Sequence, residues 1–167
     1  MLKPINTFKR RAICALLLLA IALTLAFIFG NSVLSPEKSD SESGAVVDAI
    51  VGVLPPDKQP AGTQEKHEFH YNFRKLAHFL EYALLGFEVA LLFVLLAEKL
   101  VTVILPTFIA SIIVSFADES IQLLSGRGSS VSDMWIDIAG FCSLAALVYI
   151  VFVLVSARRN WSAKTRK

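Results

Sequence analysis

The sequence predicts an all-α polytopic membrane protein: a bundle of four transmembrane helices with both termini in the cytoplasm. Of its 167 residues, 55% are hydrophobic, and the mean hydropathy of +0.63 is far above that of a soluble domain. Four apolar runs cover residues 12–29, 76–96, 100–117 and 136–155. Each is close to the roughly 20 helical residues that cross a hydrocarbon core of ~30 Å.

The first run has the basic flank of a signal peptide but not its other features. Its apolar core is longer than the usual span of about 7 to 15 residues, and no Ala-x-Ala cleavage site follows. We therefore interpret it as a retained helix. Cys14 and Cys142 lie within apolar runs, which is typical of small packing residues.

The basic residues predict the orientation. Of the 16 Lys and Arg, ten lie in the N-terminus, the turn at Lys99 and the tail, while six lie in the segments between them, including Arg127. The positive-inside rule places the richer side in the cytoplasm. We expect a cytoplasmic N-terminus (1–11), a membrane domain (12–155) and a cytoplasmic tail (156–167). Since topology explains the basic residues behind the net charge of +2, we expect no nucleic-acid partner.

An outer loop is expected over residues 30–72. Its polar part, SPEKSDSESG, is predicted to be mobile. The segment GAVVDAIVGVL that follows places apolar side chains on one helical face and ends at Pro55 and Pro56, which predicts a short helix. That helix could lie on the membrane surface or cover the mouth of the bundle.

Polar side chains form a stripe along the second run. On a helical wheel they fall within an arc of about 140°; they are Arg74, Lys75, His78, Glu81, Tyr82 and Glu88. Arg74 and Lys75 could be interfacial anchors, whereas His78 has two polar neighbours one turn away. Glu88 lies deeper and could bond a neighbouring helix.

The next two runs carry similar stripes. On the third run, Ser111, Ser115, Asp118 and Gln122 share one face with Glu119 beside them, and on the fourth, Asp133, Asp137 and Gly140 share one. Ionised side chains in a membrane normally face a bundle interior or a wet cavity. Three stripes at one depth therefore predict a single outward-opening polar pocket.

The loop SGRGSSVSD lies between the third and fourth runs. Glycine allows close backbone approach, Arg127 can pair with phosphate, and Ser129 precedes a helix N-terminus that suits an anion. A capping box from Ser130 to Asp133 explains some of the same residues without a ligand. The carboxylates of Asp118, Glu119 and Asp137 could hold a divalent cation, or could serve with His78 as acid and base. The spacing alone leaves both uses open.

Three segments resemble the VanZ-like family of small membrane proteins. They are FRKLAHFLEYALLGF (73–87), DESIQLLSGRGSSVSDMWIDIAG (118–140) and GNSVLSPEKSDSES (30–43). The resemblance implies a four-helix membrane core with its polar residues at one side. The family takes its name from a protein associated with teicoplanin resistance, and VanZ-like domains are grouped with enzymes that act on phosphate-linked lipid head groups. These implications extend to the matching positions, which are Lys75, His78, Glu81, Asp118, Glu119, Gln122, Arg127, Asp133 and Asp137.

Three functions follow as hypotheses. The first is an enzyme of the bacterial cytoplasmic membrane that hydrolyses or exchanges a phosphate-linked head group on a polyprenyl or glycerol lipid. The second is a non-catalytic binder that shields or presents a cell-wall precursor and so alters glycopeptide susceptibility. The third is a transporter subunit with a proton path through Glu88 and His78. The enzyme is favoured, because a shielding protein has less need for clustered carboxylates beside a histidine.

Residues are assigned to the favoured function by their chemistry. The expected catalytic residues are His78, Glu81, Asp118, Glu119 and Asp137. The expected substrate-binding residues are Lys75, Tyr82, Gln122, Arg127, Ser129 and Asp133. The expected ligand is a membrane lipid or a lipid-linked cell-wall precursor.

Overall fold

The computed structural model describes residues 7–60, 62–96 and 101–164, and these contain helices and no strand. In chain order the elements are α1 (Thr7–Val33), α2 (Pro36–Val53), a 3-10 turn (Pro56–Lys58), α3 (Thr63–Leu96), α4 (Val101–Leu124) and α5 (Val131–Lys164). The all-α class is therefore confirmed. The turn at Lys99 and the basic residues Lys3, Arg166 and Lys167 lie outside the described residues.

Four helices are long and apolar enough to cross a membrane: α1, α3, α4 and the Val131–Arg158 part of α5. They correspond to the four predicted apolar runs, and the chain is an integral membrane protein. Several helices extend well beyond those runs. α3 begins at Thr63 rather than near Leu76, because the polar residues before the run, many of them good helix formers, continue the helix.

The predicted outer loop contains more helix than expected. Residues 36–44, predicted to be a mobile polar segment, form the first half of α2, which has proline in its first turn and Glu37 beside the positive end of the helix dipole. α2 ends at Val53, ahead of Pro55 and Pro56 as predicted. Its residue Val47 is buried, so α2 is packed against the bundle.

The closest packing in the bundle joins α3 to α5 through two glycines. A Cβ atom at Gly86 would collide with the backbone carbonyl of Phe141, and one at Gly140 would collide with that of Phe79. Small residues at such positions let two membrane helices approach closely. The polar stripes of α3 and α5 are therefore held side by side.

The helices are arranged so that polar groups collect at one end. The Arg10 guanidinium donates a hydrogen bond of 3.3 Å to the carbonyl of Leu96, which places the start of α1 beside the end of α3. At the other end, Ser32 near the end of α1 donates a hydrogen bond to Asp118 near the end of α4. We call this second end, with Ser32, Asp118 and the loop at Arg127, the polar end.

Below the polar end the interior is mainly apolar. One buried cluster contains Ile28, Tyr82, Leu85 and Phe141. A second contains Ala90, Val103, Ala145 and Tyr149. The hydroxyls of Thr107 and Tyr149 are hydrogen-bonded to each other beside the second cluster and so link α4 to α5. The polar end therefore lies next to a well-packed interior.

Candidate functional site

A cavity of about 240 Å³ opens at the polar end between α3, α4, α5 and the loop that joins the last two. It combines charged and polar side chains from all four segments. Its lining residues are Tyr71, Arg74, Lys75, His78, Glu119, Gln122, Arg127, Gly128, Asp133, Ile136 and Asp137. Seven of the predicted site residues therefore line one cavity, which we call the first cavity.

Three basic side chains line the first cavity. Arg74 and Lys75 project from α3, and Arg127 comes from the loop after α4. The Lys75 ammonium lies 3.1 Å from the carboxylate of Asp133 and 4.4 Å from the centre of the Tyr71 ring. These contacts hold the Lys75 side chain at the cavity. Asp133, which lies in the first turn of α5, therefore also forms an ion pair with Lys75.

His78 lines the first cavity together with the basic side chains and the carboxylates. Its Nδ1 atom is enclosed and has no hydrogen-bond partner within the described ranges. A buried ring nitrogen without a partner is costly, which is why such groups are frequently the ones that bind or react with a ligand. His78 therefore lines the first cavity with this nitrogen atom unpaired in the described part of the chain.

Asp137 is the buried carboxylate of the first cavity. Its side chain is almost fully enclosed, and one carboxylate oxygen accepts a hydrogen bond of 3.2 Å from the Ser115 hydroxyl of α4. The same hydroxyl reaches the backbone carbonyl of Met134 at 3.1 Å. Ser115 thus orients Asp137 relative to α4.

Asp118 has a different place from the one predicted. It is completely buried, accepts a hydrogen bond from Ser32, and accepts another of 2.9 Å from the amide of Gln122. Gln122 lines the first cavity, whereas Asp118 lies behind it. A direct catalytic contact for Asp118 is therefore not supported, because both of its oxygens bond groups of the protein.

Glu119 anchors the loop. One of its carboxylate oxygens accepts hydrogen bonds from the Ser129 hydroxyl at 2.8 Å and from the Ser130 backbone N–H at 2.9 Å. The predicted capping box is replaced by other contacts: the Ser130 hydroxyl accepts the N–H of Ser132 at 3.2 Å rather than that of Asp133, and Glu119 takes the Ser130 N–H that Asp133 was expected to bind. The hydroxyl of Ser129 is likewise directed to Glu119.

Arg127 is buried and bridges the loop to α1. It donates a hydrogen bond of 3.0 Å to the carbonyl of Asn31, and nearby the Ser125 hydroxyl donates one of 2.8 Å to the carbonyl of Ser32. Burial lowers the pKa of the Arg127 guanidinium and the charge of Arg74 lowers it further, while nearby carboxylates, Asp118 among them, oppose this. Arginine has five N–H donors, so the bond to Asn31 leaves others for a ligand.

A second cavity of about 230 Å³ lies on the other side of Arg127, between α1, α2 and α3. Part of its wall is shared with the first cavity and part is apolar. Its lining residues are Asn31, Leu34, Ser43, Val46, Phe73, Arg74, Ala77, His78, Glu81 and Arg127. Glu81, predicted from the polar stripe, therefore belongs to this second cavity.

Two other residues of the stripe on α3 lie deeper in the bundle. Tyr82 is completely buried and packs in the core with Ile28 and Phe141, so the prediction that it binds substrate gains no support. Glu88 accepts a hydrogen bond of 3.2 Å from the Thr24 hydroxyl of α1. This is the contact with a neighbouring helix that its position suggested.

The carboxylates do not converge in the manner of a metal site. Across residues 7–60, 62–96 and 101–164, no group of three or more His, Cys, Asp or Glu side chains has the geometry to hold a metal ion. Each of the three candidates already has partners within the protein: Asp118 bonds Ser32 and Gln122, Glu119 holds the loop, and Asp137 bonds Ser115. The donor set therefore does not fit the divalent cation considered from the sequence.

Arg74 is the main residue that the sequence interpretation left out of the site. Two adjacent basic residues at the start of an apolar run are typical of interfacial anchors. The sequence alone therefore did not show whether Arg74 and Lys75 are anchors or site residues. The structure places Arg74 in the lining of both cavities and pairs it with Asp40 of α2 at 2.6 Å. The position of α2, which the sequence did not define, was the missing information.

Comparison with known proteins gives a family for the chain. No curated protein and no solved structure matched it. The profile described as VanZ/LLP1 matches residues 15–155, which cover α3 and α4, most of α1 and α5, and the residues that line both cavities. Since this is most of the chain, the protein belongs to the VanZ/LLP1 family.

Proposed function

We propose that the protein acts on the phosphate-linked head group of a polyprenyl or glycerol lipid. The observation that carries the proposal is the first cavity, where Arg74, Lys75 and Arg127 surround a space that His78 also lines. Arginine binds phosphate oxygens in a bidentate manner, and lysine adds a point charge. A phosphate, whose oxygens are arranged tetrahedrally around phosphorus, is the anion that best complements these three basic side chains.

The proposed chemistry is hydrolysis or exchange at the phosphate ester. His78 is the proposed acid or base, since its Nδ1 has no partner in the described part of the protein. Asp137 lines the same cavity and is the carboxylate available to orient a nucleophile. Gln122 and Lys75 are proposed to hold the head group. Asp118 positions Gln122 through its hydrogen bond, and Glu119 holds the loop through Ser129.

The cellular setting follows from the distribution of basic residues. With both termini in the cytoplasm, the polar end opens to the outer face of the bacterial cytoplasmic membrane. The accessible lipids there include precursors of the cell envelope. We therefore propose a role in cell-envelope precursor metabolism, with glycopeptide susceptibility as its phenotype.

The test uses the purified protein in nanodiscs that contain labelled undecaprenyl phosphate derivatives or phosphatidylglycerol. We expect released or exchanged head group from the wild type, and a loss of at least about a hundredfold in His78→Ala and Asp137→Asn, the usual range for an acid or base. His67→Ala is the matched control, since His67 lies on α3 and is absent from the linings of both cavities. Equal turnover in His78→Ala and wild type would remove the proposed site.

One observation favours a second function, a binder that shields or presents a precursor. Two carboxylates that were expected to be catalytic, Asp118 and Glu119, are engaged in internal hydrogen bonds. A site that only holds a head group needs no free carboxylate pair. Stoichiometric binding of the labelled lipid, with no product after prolonged incubation, would support this function over the enzyme.

A further inference from the structure

The second cavity is joined to the first by the side chains they share. Arg74, His78 and Arg127 line both cavities, so the two guanidinium groups stand between two separate spaces. Each space is smaller than the roughly 300 Å³ at which pockets for drug-sized ligands begin. A phosphate held by the arginines would therefore have room for only a small substituent on the side of the second cavity.

The chemistry of that substituent is indicated by Glu81. Its Oε2 atom is enclosed and has no hydrogen-bond partner within the described residues. The ion pairs found in that part of the chain join Arg74 to Asp40 and Lys75 to Asp133, and neither includes Glu81. A buried carboxylate without a cation is costly unless a ligand supplies one.

The remaining wall of the second cavity suits short methylene groups. Val46 of α2, Phe73 of α3 and Leu34, which lies between α1 and α2, provide apolar surface. The layout is thus a pair of arginines, an apolar stretch, and an unpaired carboxyl group. The complementary ligand carries a phosphate, a short hydrocarbon link and an ammonium group.

We propose that the second cavity binds the ammonium of a phosphoamine head group such as phosphoethanolamine, with Glu81 as its partner and Arg74 and Arg127 on the phosphate. This inference rests on the proposed function, because it takes the arginines to hold a phosphate. It goes further in giving the class of head group. It also gives Glu81 the role of a specificity residue rather than that of an acid or base.

The experiment measures binding, so it does not depend on turnover. Purified protein is titrated with phosphoethanolamine and with glycerol 3-phosphate, a phosphate monoester without the amine. We expect the wild type to bind phosphoethanolamine roughly tenfold to a hundredfold more tightly, the ratio expected from one hydrogen bond between charged groups. Glu81→Gln should reduce that ratio to about one and leave the affinity for glycerol 3-phosphate unchanged. The control, Glu68→Gln, removes a carboxylate of α3 outside both cavities and should keep the wild-type ratio.

A second arm separates a lipid-linked head group from the free compound. The protein is placed in nanodiscs of phosphatidylethanolamine and phosphatidylglycerol, and the lipids that remain bound are measured by native mass spectrometry. Enrichment of phosphatidylethanolamine by the wild type but not by Glu81→Gln indicates a lipid ligand, while preference for the soluble compound alone indicates a free phosphoamine. Either result supports the inference.

The inference is overturned if wild-type protein binds the amine and amine-free compounds equally, if neither binds in either arm, or if Glu81→Gln keeps the preference. Thermal denaturation of the variant shows whether it is folded, and Glu81→Ala is a second variant if the glutamine form is not. Turnover of phosphatidylglycerol would preserve the proposed function even where the amine preference fails. The two failures are therefore distinguishable.

Discussion

Asp118 of α4 and Ser32 of α1 are hydrogen-bonded to each other at a point where neither side chain is exposed. The contact ties the end of the first membrane helix to the helix that carries Glu119 and Gln122. Asp118 was expected to contact a ligand. In the structure it bonds Ser32 and Gln122 instead, and so supports the wall of the first cavity.

This contact predicts a stability effect at Ser32. Ser32→Ala leaves a buried carboxylate oxygen without its donor, which costs about 1–3 kcal/mol. We expect a lower free energy of unfolding in detergent, measured by chemical denaturation. Ser120→Ala is the matched control, since its exposed hydroxyl donates to the backbone carbonyl of Phe116 on its own helix. Equal stability of Ser32→Ala and wild type would show that the hydrogen bond between Ser32 and Asp118 does not stabilise the fold.

The two glycines at the crossing of α3 and α5 predict a larger effect. Gly86→Val and Gly140→Val place side-chain atoms against backbone carbonyls that cannot move without separating the helices. Overpacking of this kind costs at least about 1–3 kcal/mol. We expect a marked fall in melting temperature and in the yield of monodisperse protein.

The control for the glycine variants is Gly30→Ala. A Cβ atom at Gly30 has nothing within 4 Å, and the position is helical. Alanine there should be neutral or slightly stabilising, because it favours the helix over the unfolded chain. Wild-type stability of Gly86→Val would contradict the packing described for α3 and α5.

Glu119 provides a prediction about the loop between α4 and α5. Glu119→Ala removes the acceptor of both the Ser129 hydroxyl and the Ser130 N–H. The loop should then open more often, and trypsin should cut after Arg127 several times faster than in the wild type. Glu65→Ala, a substitution near the start of α3, is the control. Cleavage of the Glu119 variant at the wild-type rate would show that Glu119 does not anchor the loop.

Much of the fold was predictable because it depends on local composition. The four apolar runs identified α1, α3, α4 and α5, and helical periodicity placed His78 and Glu81 on one face of α3. The start of α3 at Thr63 was missed, since a polar helix outside the membrane has no apolar run to mark it. The helical form of residues 36–44 was missed for the same reason.

The site was predictable only in part, because a helical wheel carries no information about neighbouring helices. It grouped Asp118 and Gln122 on one face, but the placement of α1 decides that Asp118 is enclosed behind Ser32 while Gln122 reaches the cavity. The loop shows the same limit. Asp133 was the nearest acceptor in sequence for the Ser130 N–H, yet Glu119 from another helix takes that bond.

The orientation of the bundle stays a prediction, and cysteine labelling can test it. In a background with Cys14→Ala and Cys142→Ala, Ser129→Cys should react with a membrane-impermeant maleimide in intact cells. Ala157→Cys, near the other end of α5, should react only after the cells are lysed. The reverse pattern would place the polar end in the cytoplasm and rule out an outer-leaflet site.

Phosphate recognition by the polar end is tested by the binding of a lipid phosphate to Arg74 and Arg127. Native mass spectrometry of protein extracted with undecaprenyl phosphate should show one bound lipid in the wild type and in Arg158→Gln, whose arginine lies near the other end of α5. Arg127→Gln and Arg74→Gln should each lose most of it while remaining folded. Retention of the lipid by both variants, or equal loss in Arg158→Gln, would show that these two arginines do not bind the phosphate.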